Sequence, residues 1–174
     1  MPRTPNKYGG GALTNAHGLL FEQETSLNDA LINGGYRISN DGKVCYFKGV
    51  VLGYSKSNRT FIKYLGENNV SLKVNSDTLL PDDAFINIRN KTVYIIEKKF
   101  QNVPGSVDEK LQTCLYKKLQ YEKLVSQIGY EIEYVYVLND WFKQPKYRDV
   151  LSYIEDVGCS YFFNELPLWF LGLR

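Results

Sequence analysis

The sequence contains very little histidine and cysteine. Only one of its 174 residues is histidine, His17, and three are cysteine, Cys45, Cys114 and Cys159. A single imidazole excludes a histidine-rich metal cluster and argues against nucleases built on paired histidines. The cysteines are widely separated and odd in number, so they form neither a zinc-binding spacing nor a disulfide framework. Free cysteines are typical of a reducing compartment, and a cytoplasmic location is therefore expected.

Long hydrophobic runs and a large net charge are also absent. No apolar stretch approaches the ~20 residues that cross a bilayer, and the N-terminus lacks the apolar core of a secretory signal, so no membrane partner is expected. The formal net charge at pH 7 is only +2. A surface that binds nucleic acid would therefore depend on local clustering of basic residues. The length fits one domain with a substantial core.

The order of predicted elements indicates an α/β fold with a central mixed β-sheet flanked by helices. A flexible arm is expected over residues 1–16, ahead of a single domain over 17–174. Helices are predicted at His17–Asn33, from Ser106 to about Ile128, and at Tyr147–Val157. Strands are predicted outside the central hairpin at Val44–Phe47, Val50–Tyr54, Thr60–Leu65, Val70–Val74, Glu131–Leu138 and Cys159–Phe163.

The stretch Leu79–Gln101 predicts two antiparallel strands joined by a tight turn at Arg89-Asn90-Lys91. The second strand contains the apolar run Val93–Ile96 and ends in Glu97-Lys98-Lys99, which is unusual for a buried strand. Side chains alternate across a strand, so Glu97 and Lys99 share one face and Lys98 occupies the other.

A second carboxylate is expected beside Glu97, because the hairpin brings either Asp82 or Asp83 close to it. Two adjacent carboxylates repel unless a cation lies between them. Hard oxygen ligands of this kind suit Mg²⁺, which keeps several waters and bridges to phosphate. Lys99 beside the metal would orient the attacking water or neutralise developing charge. This combination indicates metal-assisted hydrolysis of a phosphodiester.

The pattern Pro81-Asp82, a hairpin-length spacer and then Glu97-x-Lys99 resembles the PD-(D/E)xK nuclease superfamily. The resemblance implies a restriction-endonuclease-like fold and a Mg²⁺-dependent nuclease acting on DNA. It implies that Asp82 and Glu97 are metal ligands and that Lys99 is the catalytic lysine. Asp83 stays open as the first ligand, although Asp82 is favoured because it follows the proline.

An acid-x-Lys triplet alone has little specificity. Two others occur, Asp41-Gly42-Lys43 and Asp108-Glu109-Lys110, but neither ends an apolar strand. The competing interpretation of Glu97 and Lys99 is a surface ion pair on one strand face.

Two further residues are predicted near this site. Gln101 shares the strand face of Glu97 and Lys99, and it would support Lys99 or contact the phosphate. Glu22 lies on the first predicted helix, where members of this superfamily often carry an acid that points at the metal. The alternative for Glu22 is that acids favour the N-terminal half of a helix.

Basic residues interleaved with aromatic ones suggest a DNA-binding surface. An alternative places these lysines on the water-exposed side of an antiparallel sheet. The candidate contacts for DNA are Lys43, Lys48, Lys56, Arg59 and, on the later helix, Lys117.

The run Gly105–Thr113, directly after the Glu-x-Lys strand, is similar to type II restriction endonucleases and their small catalytic subunits. The resemblance implies cleavage of double-stranded DNA at a specific sequence. One chain of this length carries one active site, so a double-strand cut implies a homodimer, a heterodimer with a second subunit, or sequential nicking. The rival interpretations are a repair or recombination nuclease resembling a junction resolvase, a non-catalytic DNA-binding module, and a β-rich interaction protein.

Overall fold

A computed structural model describes the backbone of residues 10–45 and 49–174, and the side chains from residue 17 onward within those ranges. One seven-stranded sheet runs through the described residues, and its spatial order follows the chain. Its strands are β1 Arg37–Ile38, β2 Lys43–Cys45, β3 Val51–Lys56, β4 Asp83–Asn87, β5 Thr92–Lys99, β6 Glu131–Leu138 and β7 Ser160–Phe163.

The sheet is mixed. Strands β1 to β5 pair antiparallel with their neighbours, whereas β6 pairs parallel with β5, and β7 parallel with β6. The predicted α/β class, with a mixed sheet flanked by helices, is therefore confirmed. The α-helices are α1 Gly10–Glu24, α2 Leu27–Asn33, α3 Asn58–Glu67, α4 Val107–Lys110, α5 Cys114–Val125 and α6 Arg148–Asp156.

The predicted hairpin is confirmed, with β4 and β5 paired from Asp83 opposite Ile96 to Asn87 opposite Thr92. The side chain of Asn87 stabilises the turn, because its Oδ1 accepts the backbone N–H groups of Arg89 at 2.9 Å and of Asn90 at 3.3 Å. The alternation along β5 divides the core into two layers. Ile95 packs toward α3, α5 and α6, whereas Ile96 packs toward α1, α2 and the C-terminal segment.

The predicted strand at Thr60–Leu65 is wrong, because these residues belong to helix α3. Phe61, Tyr64 and Leu65 are all buried, and this i, i+3, i+4 spacing matches one face of a helix. Thr60 helps to begin the helix, since its Oγ1 accepts the backbone N–H of Ser57 at 2.9 Å. Burial against the sheet outweighs the β propensity of the aromatic residues.

The predicted strand at Val70–Val74 is also wrong. A short 3₁₀ helix occupies Leu72–Val74. The backbone of Ser71 is instead paired with a side chain, because its N–H donates to Gln127 Oε1 at 2.9 Å and its carbonyl accepts from Gln127 Nε2 at 3.1 Å.

The helix predicted at His17–Asn33 is two helices. Ser26 separates them and caps α2, because its Oγ accepts the backbone N–H of Asp29 at 3.3 Å. Helix α1 begins at Gly10, so the arm predicted over 1–16 overlaps it, and residues 1–9 lie outside the described part of the chain. Within the described residues, no helix combines the length and apolar character needed to cross a bilayer.

We expect Phe61→Ala to lower the free energy of unfolding by about 3–5 kcal/mol, because Phe61 is fully buried in the core. Lys63→Ala is the matched control and should change stability by about 0.5 kcal/mol or less, since Lys63 is exposed on α3. A strand would instead place Phe61, Lys63 and Leu65 on one face. Urea unfolding of the two variants therefore tests the helix, and similar losses for both would contradict it.

Candidate active site

The candidate site lies where the apolar part of β5 ends. In the register of β5 against its parallel neighbour β6, Glu97 lies opposite Tyr136 and Lys99 lies opposite Leu138. Both side chains point to the face covered by α5. Glu97 is only 4% exposed. A carboxylate that is this deeply buried needs a positive partner, so its surroundings carry most of the information about the site.

Three oxygen atoms converge on the ammonium of Lys99. Its Nζ lies 2.8 Å from Glu97 Oε2, 3.1 Å from the backbone carbonyl oxygen of Lys98 and 3.6 Å from Asp82 Oδ2. Asp82 immediately precedes β4 and is oriented by a further contact, because its Oδ2 accepts the backbone N–H of Lys98 at 2.8 Å. The two carboxylates of the predicted motif thus share one cation on one face of the sheet.

Asp83 lies on the opposite face of the sheet from Glu97 and Lys99, so the structure does not bring it together with the other predicted metal ligands. Its carboxylate forms an ion pair with Lys98 Nζ at 2.6 Å, and both side chains are largely buried. Burial raises the pKa of Asp83, while the charge of Lys98 and a hydrogen bond from the backbone of Leu27 oppose that shift. A step of one residue along the chain reverses the side-chain direction, so Asp82 reaches the Lys99 ammonium that Glu97 contacts, whereas Asp83 pairs with Lys98.

A second lysine contacts the buried carboxylate. Lys117 Nζ, from α5, lies 3.2 Å from the same Glu97 Oε2 that binds Lys99. From the sequence, Lys117 is predicted only as a candidate DNA contact. Its spacing carried a usable signal, because Lys117 falls three residues after Cys114 and four before Tyr121, both of which are buried on α5.

Buried tyrosines form the floor beneath Glu97. Tyr121 and Tyr134 are almost fully buried. Burial is the main cause that raises the pKa of each phenol well above its ordinary value, and the negative charge of Glu97 is the second cause. Both phenols are therefore neutral, and the floor has a low dielectric constant that strengthens the contacts between ammonium and carboxylate groups. Neither tyrosine is among the site residues predicted from the sequence.

Gln101 does not support Lys99. Its side chain is buried, yet neither of its amide atoms has a hydrogen-bond partner among the described residues. Its backbone is held instead by the side chain of Asn139, which accepts the Gln101 N–H at 3.1 Å and donates to its carbonyl at 2.8 Å. Gln101 therefore continues the pairing of β5 with β6 past the last residues of both strands.

Glu22 lies at the edge of the site. Its exposed side chain lines a groove of about 480 Å³ together with Asp82 and Lys98. Its backbone carbonyl also lies 3.4 Å from Lys98 Nζ. Glu22 thus shares a groove with the first candidate metal ligand without touching Lys99.

The other candidate DNA contacts divide into three groups. Lys43 forms an ion pair with Asp41 at 3.0 Å, and Lys56 donates to the Asp41 backbone carbonyl, so both ammoniums are engaged within one turn. Arg59 is exposed in the first turn of α3, next to Asn58, whose N–H donates to the Pro81 carbonyl at 2.9 Å. Lys48 lies outside the described residues.

The donor set of this site fits Mg²⁺ in chemical type. Two carboxylate oxygens and one backbone carbonyl oxygen surround the Lys99 ammonium. Mg²⁺ typically binds a small number of such hard oxygen ligands from a protein. No cluster of three or more His, Cys, Asp or Glu side chains suited to a metal occurs within residues 17–45 and 49–174. Any metal here would therefore rely on Asp82, Glu97 and the Lys98 carbonyl.

Comparison with protein-family models finds no match to this chain, and comparison with curated proteins finds none either.

We expect Lys98→Met to destabilise the protein at neutral pH by about 3 kcal/mol, because it leaves the Asp83 carboxylate buried without its partner. The pKa of Asp83, already raised by burial, should rise further. A raised carboxyl pKa favours the folded state only at low pH, so the loss should be small below about pH 4 and grow as the pH rises through the folded pKa.

Urea unfolding across this pH range measures the effect. The double variant Asp83→Asn/Lys98→Met is the control, because it removes both charges and should recover much of the stability. A Lys98→Met penalty that does not depend on pH would contradict the assignment of Asp83 to this ion pair.

Proposed function

We propose that this protein is a Mg²⁺-dependent nuclease that hydrolyses phosphodiester bonds of double-stranded DNA. The observation that carries the proposal is the convergence of Asp82, Glu97 and the Lys98 carbonyl on the Lys99 ammonium. A strand-end surface pair would leave Glu97 exposed, whereas this carboxylate is buried and held by two lysines.

The proposed fold is the restriction-endonuclease-like form of the α/β class, in the PD-(D/E)xK superfamily. Its support is the position of the motif. The first acid immediately precedes β4, the second acid and the lysine end β5, and the chain then passes through α5 into the parallel strand β6. The proposed location is the cytoplasm, in keeping with three free cysteines.

In the proposed reaction, Asp82, Glu97 and the Lys98 carbonyl would hold Mg²⁺. The metal would polarise the phosphate and lower the pKa of a water molecule. Lys99, freed from the carboxylates, would orient the water beside the phosphorus. A bond forms between the water oxygen and phosphorus, and the bond from phosphorus to the leaving sugar oxygen breaks. The attacking water loses one proton, and the leaving oxygen gains one.

Cleavage of both strands at a specific sequence, as in a type II restriction endonuclease, is the specific form that we propose. One chain supplies one triad of Asp82, Glu97 and Lys99. A double-strand cut therefore requires a homodimer, a heterodimer or two successive nicks. The small size of the chain leaves limited surface for reading bases, which favours a second subunit or a short recognition site.

We expect the protein to cut plasmid DNA in Mg²⁺ and to lose this activity in EDTA. Lys99→Ala should reduce the initial rate by about 10²-fold or more, because it removes the ammonium nearest to both carboxylates. Gel-resolved time courses measure the rate, and fluorescence anisotropy in Ca²⁺ measures DNA binding, which should persist. Lys123→Ala is the control, because Lys123 is exposed on α5.

A set of discrete fragments from plasmid DNA would support the site-specific form. Cleavage restricted to branched or damaged DNA would indicate a repair or recombination nuclease instead. Binding without cleavage under any divalent ion would indicate a non-catalytic module. An unchanged rate in Lys99→Ala would contradict the assignment of the site.

A further inference from the structure

We infer that Lys117 is a second catalytic lysine, which exchanges its contact with Glu97 for a non-bridging oxygen of the reacting phosphate when a divalent cation binds. This inference rests on the proposed nuclease function. Its starting point is that Glu97 Oε2 has two ammonium neighbours, Lys99 at 2.8 Å and Lys117 at 3.2 Å.

The two lysines differ in exposure and in their other contacts. The side chain of Lys99 is 14% exposed and is also held by Asp82 and the Lys98 carbonyl. The side chain of Lys117 is 27% exposed, and Glu97 is its one ion-pair partner among the described residues. Lys117 is therefore the more accessible of the two lysines, and a single ion pair holds its ammonium in place.

The charges of the site need both lysines. The carboxylates of Asp82 and Glu97 balance the ammoniums of Lys99 and Lys117, so the four side chains together are neutral. A divalent cation adds two positive charges. Attack of hydroxide on a phosphodiester produces a transition state with two negative charges, which the site then balances in full. Without Lys117, the same site would be one positive charge short.

The surroundings strengthen this exchange. Tyr121 and Tyr134 are buried close enough to Glu97 for its charge to raise their pKa, and charges beside such buried groups interact more strongly than at an open surface. A cation bound to Glu97 weakens the hold of that carboxylate on Lys117. The Lys117 ammonium would then lose its carboxylate partner, and the anionic phosphate is the group that would replace Glu97.

A neighbouring lysine provides a matched control. Lys118 follows Lys117 on α5, but its Nζ donates to the Gly158 backbone carbonyl at 2.5 Å, away from Glu97. The variants Lys117→Met and Lys118→Met remove the same charge from adjacent positions of one helix. Lys117→Arg keeps the charge and tests whether a cation at this position is sufficient. Thermal unfolding of each variant checks that the fold is retained.

The first readout is the single-turnover cleavage rate at saturating plasmid DNA in Mg²⁺. Lys117→Met should reduce this rate by about 10²-fold, Lys117→Arg should recover part of it, and Lys118→Met should match the wild type. An ion pair with a purely structural role would leave the chemical rate of a folded variant unchanged.

The second readout does not depend on cleavage. Binding of a short DNA duplex is measured against salt concentration, in Ca²⁺ and separately in EDTA. In Ca²⁺, the slope of the logarithm of the DNA-binding constant against the logarithm of the salt concentration should fall in magnitude by about one for Lys117→Met. This is the change expected for the loss of one phosphate contact. In EDTA, where Lys117 stays on Glu97, Lys117→Met and the wild type should have the same slope.

The outcomes separate the two proposals. If the wild type cleaves DNA while Lys117→Met cleaves at the same rate and has the same salt slope, the role of Lys117 is refuted and the nuclease assignment stands. If the wild type neither cleaves nor binds DNA in the presence of divalent ions, both proposals fail together. A slope difference that persists in EDTA would mean that Lys117 binds phosphate without exchanging partners, which also overturns the inference.

Discussion

The charge balance around one buried carboxylate governs the candidate site. Glu97 is almost fully buried at the end of an apolar strand, where an unpaired charge would be strongly destabilising. Lys99 and Lys117 supply the compensating charge from β5 and α5, and Asp82 contributes a second carboxylate to Lys99. The same arrangement that makes Glu97 tolerable in the core creates a cluster of hard oxygen atoms that suits a divalent cation.

Alternation along β5 divides three charged residues between two tasks. Glu97 and Lys99 face α5 and form the site, whereas Lys98 faces the other layer and pairs with Asp83. The Asp83–Lys98 pair reaches the backbones of both N-terminal helices, through Leu27 at the start of α2 and the Glu22 carbonyl on α1. The layer behind the site is thereby tied to the hairpin that carries the motif.

Much of the fold could be predicted from local patterns. The β4–β5 hairpin, strands β6 and β7 and helix α6 have apolar runs bounded by clear turn residues, and each prediction is confirmed. The prediction failed at Thr60–Leu65, where an aromatic-rich segment favours a strand locally but packs as helix α3. It also failed to separate α1 from α2, because the capping role of Ser26 becomes visible only with the contact to Asp29.

By itself, the sequence determined the hairpin and the chemistry of its ends, since the alternation of Glu97, Lys98 and Lys99 follows from strand geometry alone. Tertiary structure decided which acid joins Glu97, because the register of β4 on β5 directs Asp83 away and leaves Asp82 beside Lys99. It also decided that Lys117 enters the site and that Gln101 does not contact Lys99. These results depend on how α5 and the loop after β6 pack against β5, and such long-range packing is not encoded in any short stretch of sequence.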